Sequence, residues 1–170
     1  MLLLFLLYRK EKMNLSRELF ALFLSLFACT ALADNTAQLT LSLAQKMGVP
    51  EKYRETSLVR VIPFVQYPES KLVFNRYNGI AFDDHGTSLP FAMFLSLAPA
   101  ETLEKFYDKH LPGFHKIRHG DSTLWFADEV KSVVNFPVDH IDKVWVALQP
   151  FVVDGVSVML VKMNYRLVKK

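Results

Sequence analysis

Cysteine is almost absent from this sequence, since Cys29 is the only one in 170 residues. A chain with a single thiol cannot be stapled by an internal disulfide, and its fold must be held by packing alone. Glycine is also scarce. There are six glycines, and no two of them lie within six residues of each other. A phosphate-binding loop needs clustered glycines so that several backbone N–H groups converge, so this type of site is excluded.

A strong charge of one sign and a serine-nucleophile motif are also missing. The net charge is +3, and several of the basic residues lie in the first 17 positions, so the rest of the chain is close to neutral. Its scattered lysines do not form the basic stripe that phosphate backbones require, and we do not expect a nucleic-acid partner. No serine sits in a Gly-x-Ser-x-Gly elbow. We therefore predict no catalytic residue and no cofactor.

The apolar residues nearest the N-terminus have the layout of an export signal. Residues 19–28 form an apolar run that follows Arg17 and precedes Ala31-Leu32-Ala33. The run is too short for a membrane-spanning helix, which needs about 20 apolar residues, and the small-x-small site is typical of signal peptidase cleavage. We predict a signal peptide over residues 1–33, with Met13 as the true start, and a single α+β domain over residues 34–170.

Cys29 offers an alternative to a freely exported protein. A cut before Cys29 would leave a thiol that could carry lipid, and the protein would then be a lipoprotein held on a membrane. The residue two positions before it is the bulky Phe27, where such a cleavage site prefers a small residue. Cleavage after Ala33 is favoured, which predicts a periplasmic or secreted protein, with a membrane contact only if Cys29 is lipidated.

Two segments have the pattern of amphipathic helices. Residues 36–47 place Leu39, Leu43 and Met47 four apart, and Gly48 follows as a stop. Residues 99–111 start with proline and an acid and end with Lys109 and His110, which agrees with the helix dipole. The apolar stripe of this second helix consists of Leu103, Phe106, Tyr107 and Leu111.

The remaining apolar segments read as strands. We predict strands at residues 58–62, 72–74, 90–97, 116–118, 123–126, 144–153 and 156–167, with a helix as the alternative for the almost continuously apolar residues 90–97. Asp154-Gly155 joins the last two, and this dipeptide readily supplies the positive φ angles of a tight hairpin. In the final strand the two-residue period places Met159 and Val161 on a core face, and Lys162 and Asn164 on a wet face. The predicted fold is α+β, a single antiparallel sheet with one or two helices packed on one face.

Three short motifs occur in a fixed order: Tyr67-Pro68-Glu69-Ser70-Lys71, Phe106-Tyr107 and Leu111-Pro112-Gly113-Phe114. This order resembles that of small exported bacterial α+β domains of unknown function, in which a Tyr-Pro-Gly-Ala-Lys-like turn precedes a helix ending in Phe-Tyr and a Leu-Pro-Gly stop. The similarity covers roughly residues 59–165, and the chain departs from it at Glu69-Ser70, where the small pair is replaced. The resemblance implies a fold and an envelope location, and it brings no catalytic residue.

Histidines provide the candidates for a metal site. His115 and His119 have the spacing that would share a metal on a helix, but four residues of a strand span about 13 Å, which is too far. Two loops hold mixed clusters, Asp83-Asp84-His85 and Asp139-His140-Ile141-Asp142. His85 and His140 are weak metal candidates, because aspartate and histidine are also common in solvated turns.

Aromatic residues are plentiful and suit a binding surface. We expect Trp125, Phe126, Trp145 and Phe151 on a sheet face, where they would engage an envelope protein or an apolar ligand unless the N-terminal helix covers that face. The first hypothesis is therefore an exported binding or accessory module without catalytic activity. One alternative is a metal-dependent or hydrolytic envelope enzyme that uses the Asp83/His85 and His140/Asp142 loops. Another is a secreted inhibitor or immunity-type protein.

Overall fold

The computed structural model describes residues 34–82 and 86–167. The predicted signal peptide, with Met13 and Cys29, lies outside these residues, as does the Asp83–His85 loop. The helices are α1, whose described part is residues 34–46, and α2 (Ala100–His110), with 3₁₀ helices at Glu51–Tyr53, Thr56–Val61 and Val138–His140. The strands are β1 (Lys71–Arg76), β2 (Ala81–Phe82), β3 (Gly86–Thr87), β4 (Phe91–Ser96), β5 (His115–His119), β6 (Ser122–Phe126), β7 (Trp145–Val153) and β8 (Val156–Asn164).

Six of the strands form one antiparallel sheet in the order β1-β4-β8-β7-β6-β5. The β7–β8 hairpin lies at its centre, and its turn residues Asp154 and Gly155 have φ angles of 51° and 79°. These values match the tight hairpin that the dipeptide predicts. β2 and β3 form a separate two-stranded sheet. The α+β class and the antiparallel main sheet are confirmed.

The two helices pack on opposite faces of the main sheet. Leu39 and Leu43 of α1 belong to one core with Phe126 and Trp145, called here the α1 core. Leu103 and Tyr107 of α2, with Leu111 directly after it, belong to a second core, called here the α2 core. This core also contains Trp125, Val146 and Val161. The sequence analysis expected one or two helices on one face and left open that the N-terminal helix covers the other, which is the arrangement found. The structure divides them because both faces of this sheet are apolar and each needs a cover.

The face of β8 that was predicted to be exposed to water is largely buried in this arrangement. Val158 and Leu160, which alternate with the predicted core residues, are buried in the α1 core. Lys162 on the same face is half-buried, its Nζ donates to Gln149 Oε1, and burial lowers the pKa of its ammonium group. The prediction that Lys162 and Asn164 face water was wrong, because the α1 core includes Val158 and Leu160 on this face and Asn164 donates to the backbone oxygens of Ile141 and Lys143.

Residues 58–62 do not form the predicted strand. They fall in the 3₁₀ helix Thr56–Val61 and its C-cap Ile62, whose backbone N–H donates to Val59 O at 3.1 Å. Val59 and Ile62 pack against the α2 core, while Arg60 and Val61 between them are exposed. Val59 and Ile62 are three residues apart, which matches the 3₁₀ period, so both can face the core from a helical turn. The sequence analysis had interpreted them as part of a strand.

Helix α1 ends in a Schellman motif that shapes the neighbouring surface. Gly48 has φ 62°, its N–H donates to Gln45 O at 2.9 Å, and the N–H of Val49 donates to Ala44 O at 2.9 Å. This is the double capping pattern of a helix that stops at glycine, and it turns Val49 back onto the α1 core. None of the helices in the described part of the chain is long and apolar enough to cross a bilayer.

Candidate functional site

The four aromatic residues expected to share a surface are separated in the structure. Trp125 is only 1% exposed and packs in the α2 core, whereas Phe126 and Trp145 are buried in the α1 core. Phe151 alone is exposed, at 43%. Adjacent strand residues point to opposite faces, so Trp125 and Phe126 cannot lie on one surface. The grouping is corrected: three of these residues are core, and helix α1 covers the face they were expected to leave open.

His140 is enclosed by aromatic rings. The ring centroids of His140 and Phe126 lie 5.2 Å apart, and the backbone oxygen of His140 accepts a hydrogen bond from Trp145 Nε1 at 3.0 Å. Its own Nε2 is buried and has no hydrogen-bond partner. Asp142 is exposed, and its pairing with the Asp83/His85 loop stays a prediction. Within residues 34–82 and 86–167, no three His, Cys, Asp or Glu side chains lie close enough to hold a metal ion.

His115 and His119 lie at the two ends of strand β5. The segment is extended, as the preceding Pro112-Gly113 indicates, so the two imidazoles are separated by the length of the strand. His115 is exposed, and the ring of His119 lies beside Phe136 with a centroid distance of 6.4 Å. The structure therefore does not bring these two residues together.

Two carboxylates on α2, Glu104 and Asp108, both pair with Lys116 and fasten the helix to the sheet. Glu104 accepts hydrogen bonds from Arg118 at 2.8 Å and from Thr123 Oγ1 at 3.1 Å. Asp108 accepts from Lys116 Nζ and from Trp125 Nε1, both at 2.9 Å. Basic and polar partners on β5 and β6 occupy both carboxylates. The arrangement is an anchor for α2, and it accounts for these acids without a reaction.

The β7–β8 hairpin projects past its neighbours and leaves an apolar groove, called here the hairpin groove. β6 pairs with β7 only as far as Leu148, so the hairpin beyond this point has lost one neighbour. The groove has a volume of about 460 Å³ and lies between the hairpin and the start of α2. Phe151 and Val152 line it, and Val152 is 60% exposed. The structure thus leaves apolar surface open at this end of the sheet.

A second cavity, of about 320 Å³, lies where α1 ends beside strand β1. We call it the Arg76 pocket. Its lining residues are Met47, Gly48, Val49, Pro50, Tyr53, Phe74, Arg76 and Ile80. The Schellman turn supplies the first four, the 3₁₀ helix Glu51–Tyr53 supplies the tyrosine, and β1 supplies Phe74 and Arg76. Phe74 and Arg76 are two residues apart and therefore share one face of the strand.

Among the described residues that line this pocket, Arg76 is the only charged one. Its guanidinium carbon lies 5.2 Å from the centroid of the Tyr53 ring, within the range of a cation–π contact. Its Nε is buried and has no hydrogen-bond acceptor within residues 34–82 and 86–167. Arg76 also takes no part in the ion pairs seen among the described residues, which use Lys46, Lys105, Lys116 and Arg118. The pocket thus combines apolar walls with one positive group that lacks an anionic partner.

Sequence reasoning missed this site. Arg76 and Tyr53 are far apart in the chain, and neither belongs to a motif. One signal was present, because Arg76 follows an apolar stretch and the two-residue period aligns it with the core residue Phe74. A cation on the buried face of a strand is uncommon and marks a position worth following.

Comparisons with protein-family models, with curated proteins and with solved structures found no match for this chain.

Proposed function

We propose that this protein is a non-catalytic binding or accessory module of the cell envelope that takes an apolar ligand in the Arg76 pocket. The observation that carries the proposal is the pocket itself, a preformed cavity of about 320 Å³ with mainly apolar walls. Small-molecule sites have volumes of about 300–1,000 Å³ and combine apolar walls with a few polar groups. The cavity lies at the low end of this range, so its size fits a short alkyl or single-ring ligand.

The pocket is supported by rigid surroundings. Tyr53 and Phe74 are buried in the α1 core, and Val49 is fixed by the capping hydrogen bond to Ala44 O. Met47 is exposed at the rim, and its flexible thioether adapts to ligands of different shape. A preformed apolar site of this kind gains affinity from each methylene that it removes from water.

Titration calorimetry with 1-hexanol, 1-heptanol and 1-octanol tests this function. Burial of one CH₂ contributes about 0.8 kcal/mol, so the dissociation constant should fall about fourfold for each added methylene until the pocket is full. The variant Ile80→Phe places a larger side chain in the pocket wall and should weaken binding of every alcohol. Val152→Phe makes a similar change at the hairpin groove and should leave the affinities unchanged. Binding that ignores chain length, or that survives in Ile80→Phe with a native melting curve, contradicts the proposal.

A protein partner is a second candidate, and the hairpin groove favours it. Phe151 and Val152 are exposed on a hairpin that projects from the sheet, and both line the groove. Exposed apolar residues at the centre of a contact often dominate its energy. The protein would be used as bait in an envelope extract, with Val152→Arg and Ile80→Phe as paired variants. A partner at the groove is lost with the first variant and kept with the second. Equal recovery with both variants removes this candidate.

The envelope location is part of the proposal and rests on the N-terminal pattern of Arg17, the apolar run and Ala31-Leu32-Ala33. Mass spectrometry of the protein from cells should find Asp34 at the mature N-terminus. A diacylglyceryl group on Cys29 would instead make the protein a lipoprotein, and an uncut N-terminus would contradict export.

A further inference from the structure

We infer that the ligand of the Arg76 pocket carries an anionic head group, a carboxylate or a phosphate, which pairs with the guanidinium of Arg76. This inference rests on the proposed function and adds the chemical class of the ligand. The ligand would be an anionic amphiphile, with its charge at Arg76 and its apolar part against the other walls of the pocket.

The first argument is the unmet hydrogen-bonding capacity of Arg76. A buried donor without an acceptor costs free energy, and the cost is larger for a charged group. The Nε of Arg76 has no acceptor among the described residues, a condition it shares with the Nε of Arg54, whereas Lys116 and Arg118 on β5 each have carboxylate partners at 2.8–3.2 Å. An anion in the pocket would pair with the guanidinium charge, which forms no ion pair among the described residues, and a neutral ligand would leave that charge unpaired.

The second argument is the shape of the cation. Guanidinium is planar and presents its N–H groups as a fork that matches the oxygens of a carboxylate or phosphate. Its contact with the Tyr53 ring, at 5.2 Å from the ring centroid, and the pairing of Arg76 with Phe91 in the sheet hold the side chain at the pocket wall. A cation positioned in this way is preorganised, so the ligand does not bear the cost of ordering it.

The third argument is charge complementarity with the surroundings of the pocket. Lys52 also lies over the Tyr53 ring, with its Nζ 5.1 Å from the centroid, so two cations flank the same aromatic side chain. The other lining residues, Met47 to Pro50, Tyr53, Phe74 and Ile80, carry no formal charge. A negative head group is therefore attracted to this wall, and the rest of the pocket accepts an alkyl or ring moiety.

Calorimetric titration with octanoate, octyl phosphate and 1-octanol tests the inference on the purified protein. The variants are Arg76→Met, which keeps the length and apolar stem, and Arg76→Lys, which keeps the charge. Lys71→Gln is the matched control, because it removes one positive charge from the same strand, five residues away or about 16 Å along it. Melting curves recorded for each variant establish that it is folded.

The quantity that decides is the ratio of the 1-octanol dissociation constant to that of each anionic ligand. We expect Arg76→Met to lower this ratio at least about tenfold for octanoate or octyl phosphate, while the affinity for 1-octanol is kept or improved. Arg76→Lys should retain part of the preference, and Lys71→Gln should retain all of it. The anion whose ratio changes more identifies the head group.

Two negative results are distinguishable. If 1-octanol binds to the pocket but the ratio is the same in the wild type and in Arg76→Met, the anionic head group is overturned while the proposed function stands. If neither 1-octanol nor the anions bind to the folded protein, the proposed function fails and the inference fails with it. Added salt gives an independent readout, since raising the ionic strength should weaken the binding of the anions and not that of 1-octanol.

Discussion

Two neighbouring polar residues on β1 differ in their hydrogen bonding. Asn75 and Arg76 are adjacent, so they face opposite sides of the sheet. Asn75 is fully buried, and its Oδ1 accepts a hydrogen bond from the Tyr165 hydroxyl at 2.7 Å. The buried Nε of Arg76 has no acceptor in the part of the chain that the structure describes. Asn75, on the α2 side of the sheet, thus has a hydrogen-bond partner, whereas Arg76, beside the pocket, keeps an unused hydrogen-bond donor.

The Asn75–Tyr165 contact can be measured by removal of one oxygen. Tyr165→Phe leaves the ring in place and removes the donor to a buried acceptor, which should cost about 1–2 kcal/mol in the free energy of unfolding. Urea denaturation measures this cost. Tyr77→Phe is the control, because Tyr77 is exposed and its change should stay within about 0.5 kcal/mol. Equal effects of the two substitutions would show that the buried hydrogen bond contributes nothing.

At the scale of elements, α2 is held by both packing and charge. Leu103 and Tyr107 face the sheet, and Glu104 and Asp108, one position further along the helix, reach β5 and β6 at its edge. Burial raises the pKa of the Asp108 carboxyl. Hydrogen bonds from Lys116 and Trp125 and the nearby positive charges lower this pKa by a larger amount, so it lies below its ordinary value of 3.8. The opposite balance raises the pKa of Lys116: burial lowers it, and the two carboxylates raise it more.

The lowered pKa makes the stability of the protein depend on pH in a defined direction. The unfolded Asp108 binds its proton at higher pH than the folded one, so its contribution is present above about pH 4 and is lost as the pH falls through the folded pKa. The side chain is 47% exposed, and solvent screening limits the effect to about 0.5–1 kcal/mol. Asp108→Asn should lower Tm by about 2 °C at pH 7 and by progressively less as the pH falls below about 4.

Circular dichroism melts from pH 3 to pH 7 measure this dependence. Asp128→Asn, a change at an exposed aspartate, is the matched control and should follow the wild type throughout. A Tm difference for Asp108→Asn that stays constant over the whole range would show that the charge plays no part in the anchor.

At the scale of the whole molecule, the described residues from Thr36 onward form one compact unit. In this unit the main sheet lies between α1 on one face and α2 with its neighbouring 3₁₀ turn on the other. Each of the two cores contains a tryptophan, Trp145 on the side of α1 and Trp125 on the side of α2. The position of α1 also creates the Arg76 pocket, since the pocket is walled by the turn at which α1 ends.

The cover provided by α1 can be tested with two leucines of one helix. Leu43 is 4% exposed in the α1 core, so Leu43→Ala should cost about 2–4 kcal/mol. Leu41 is 47% exposed, and Leu41→Ala should change stability by less than about 0.5 kcal/mol. Urea unfolding followed by tryptophan fluorescence measures both. A similar cost for the two substitutions would mean that α1 does not pack as described.

Local patterns in the sequence were enough for much of the fold and for little of the site. Helix α2, the Asp154-Gly155 hairpin and the Gly48 stop follow from short-range propensity and backbone geometry, which a sequence displays directly. The side of the sheet that α1 covers does not follow, because it depends on which of two apolar faces the helix meets. The Arg76 pocket brings together residues 47–50, Tyr53, Phe74 and Ile80, and no local pattern encodes such a meeting.

Pro150 has a consequence for assembly. Val153 and Val156 flank the two-residue turn of the β7–β8 hairpin and form a hydrogen-bonded pair, so the alternation along the ladder makes Pro150 and Met159 a non-hydrogen-bonded pair. The nitrogen of Pro150 therefore faces the edge that β6 leaves unpaired, and it carries no hydrogen to donate. A strand from another chain would meet a gap in the donor row, which protects the hairpin from sheet-to-sheet polymerisation.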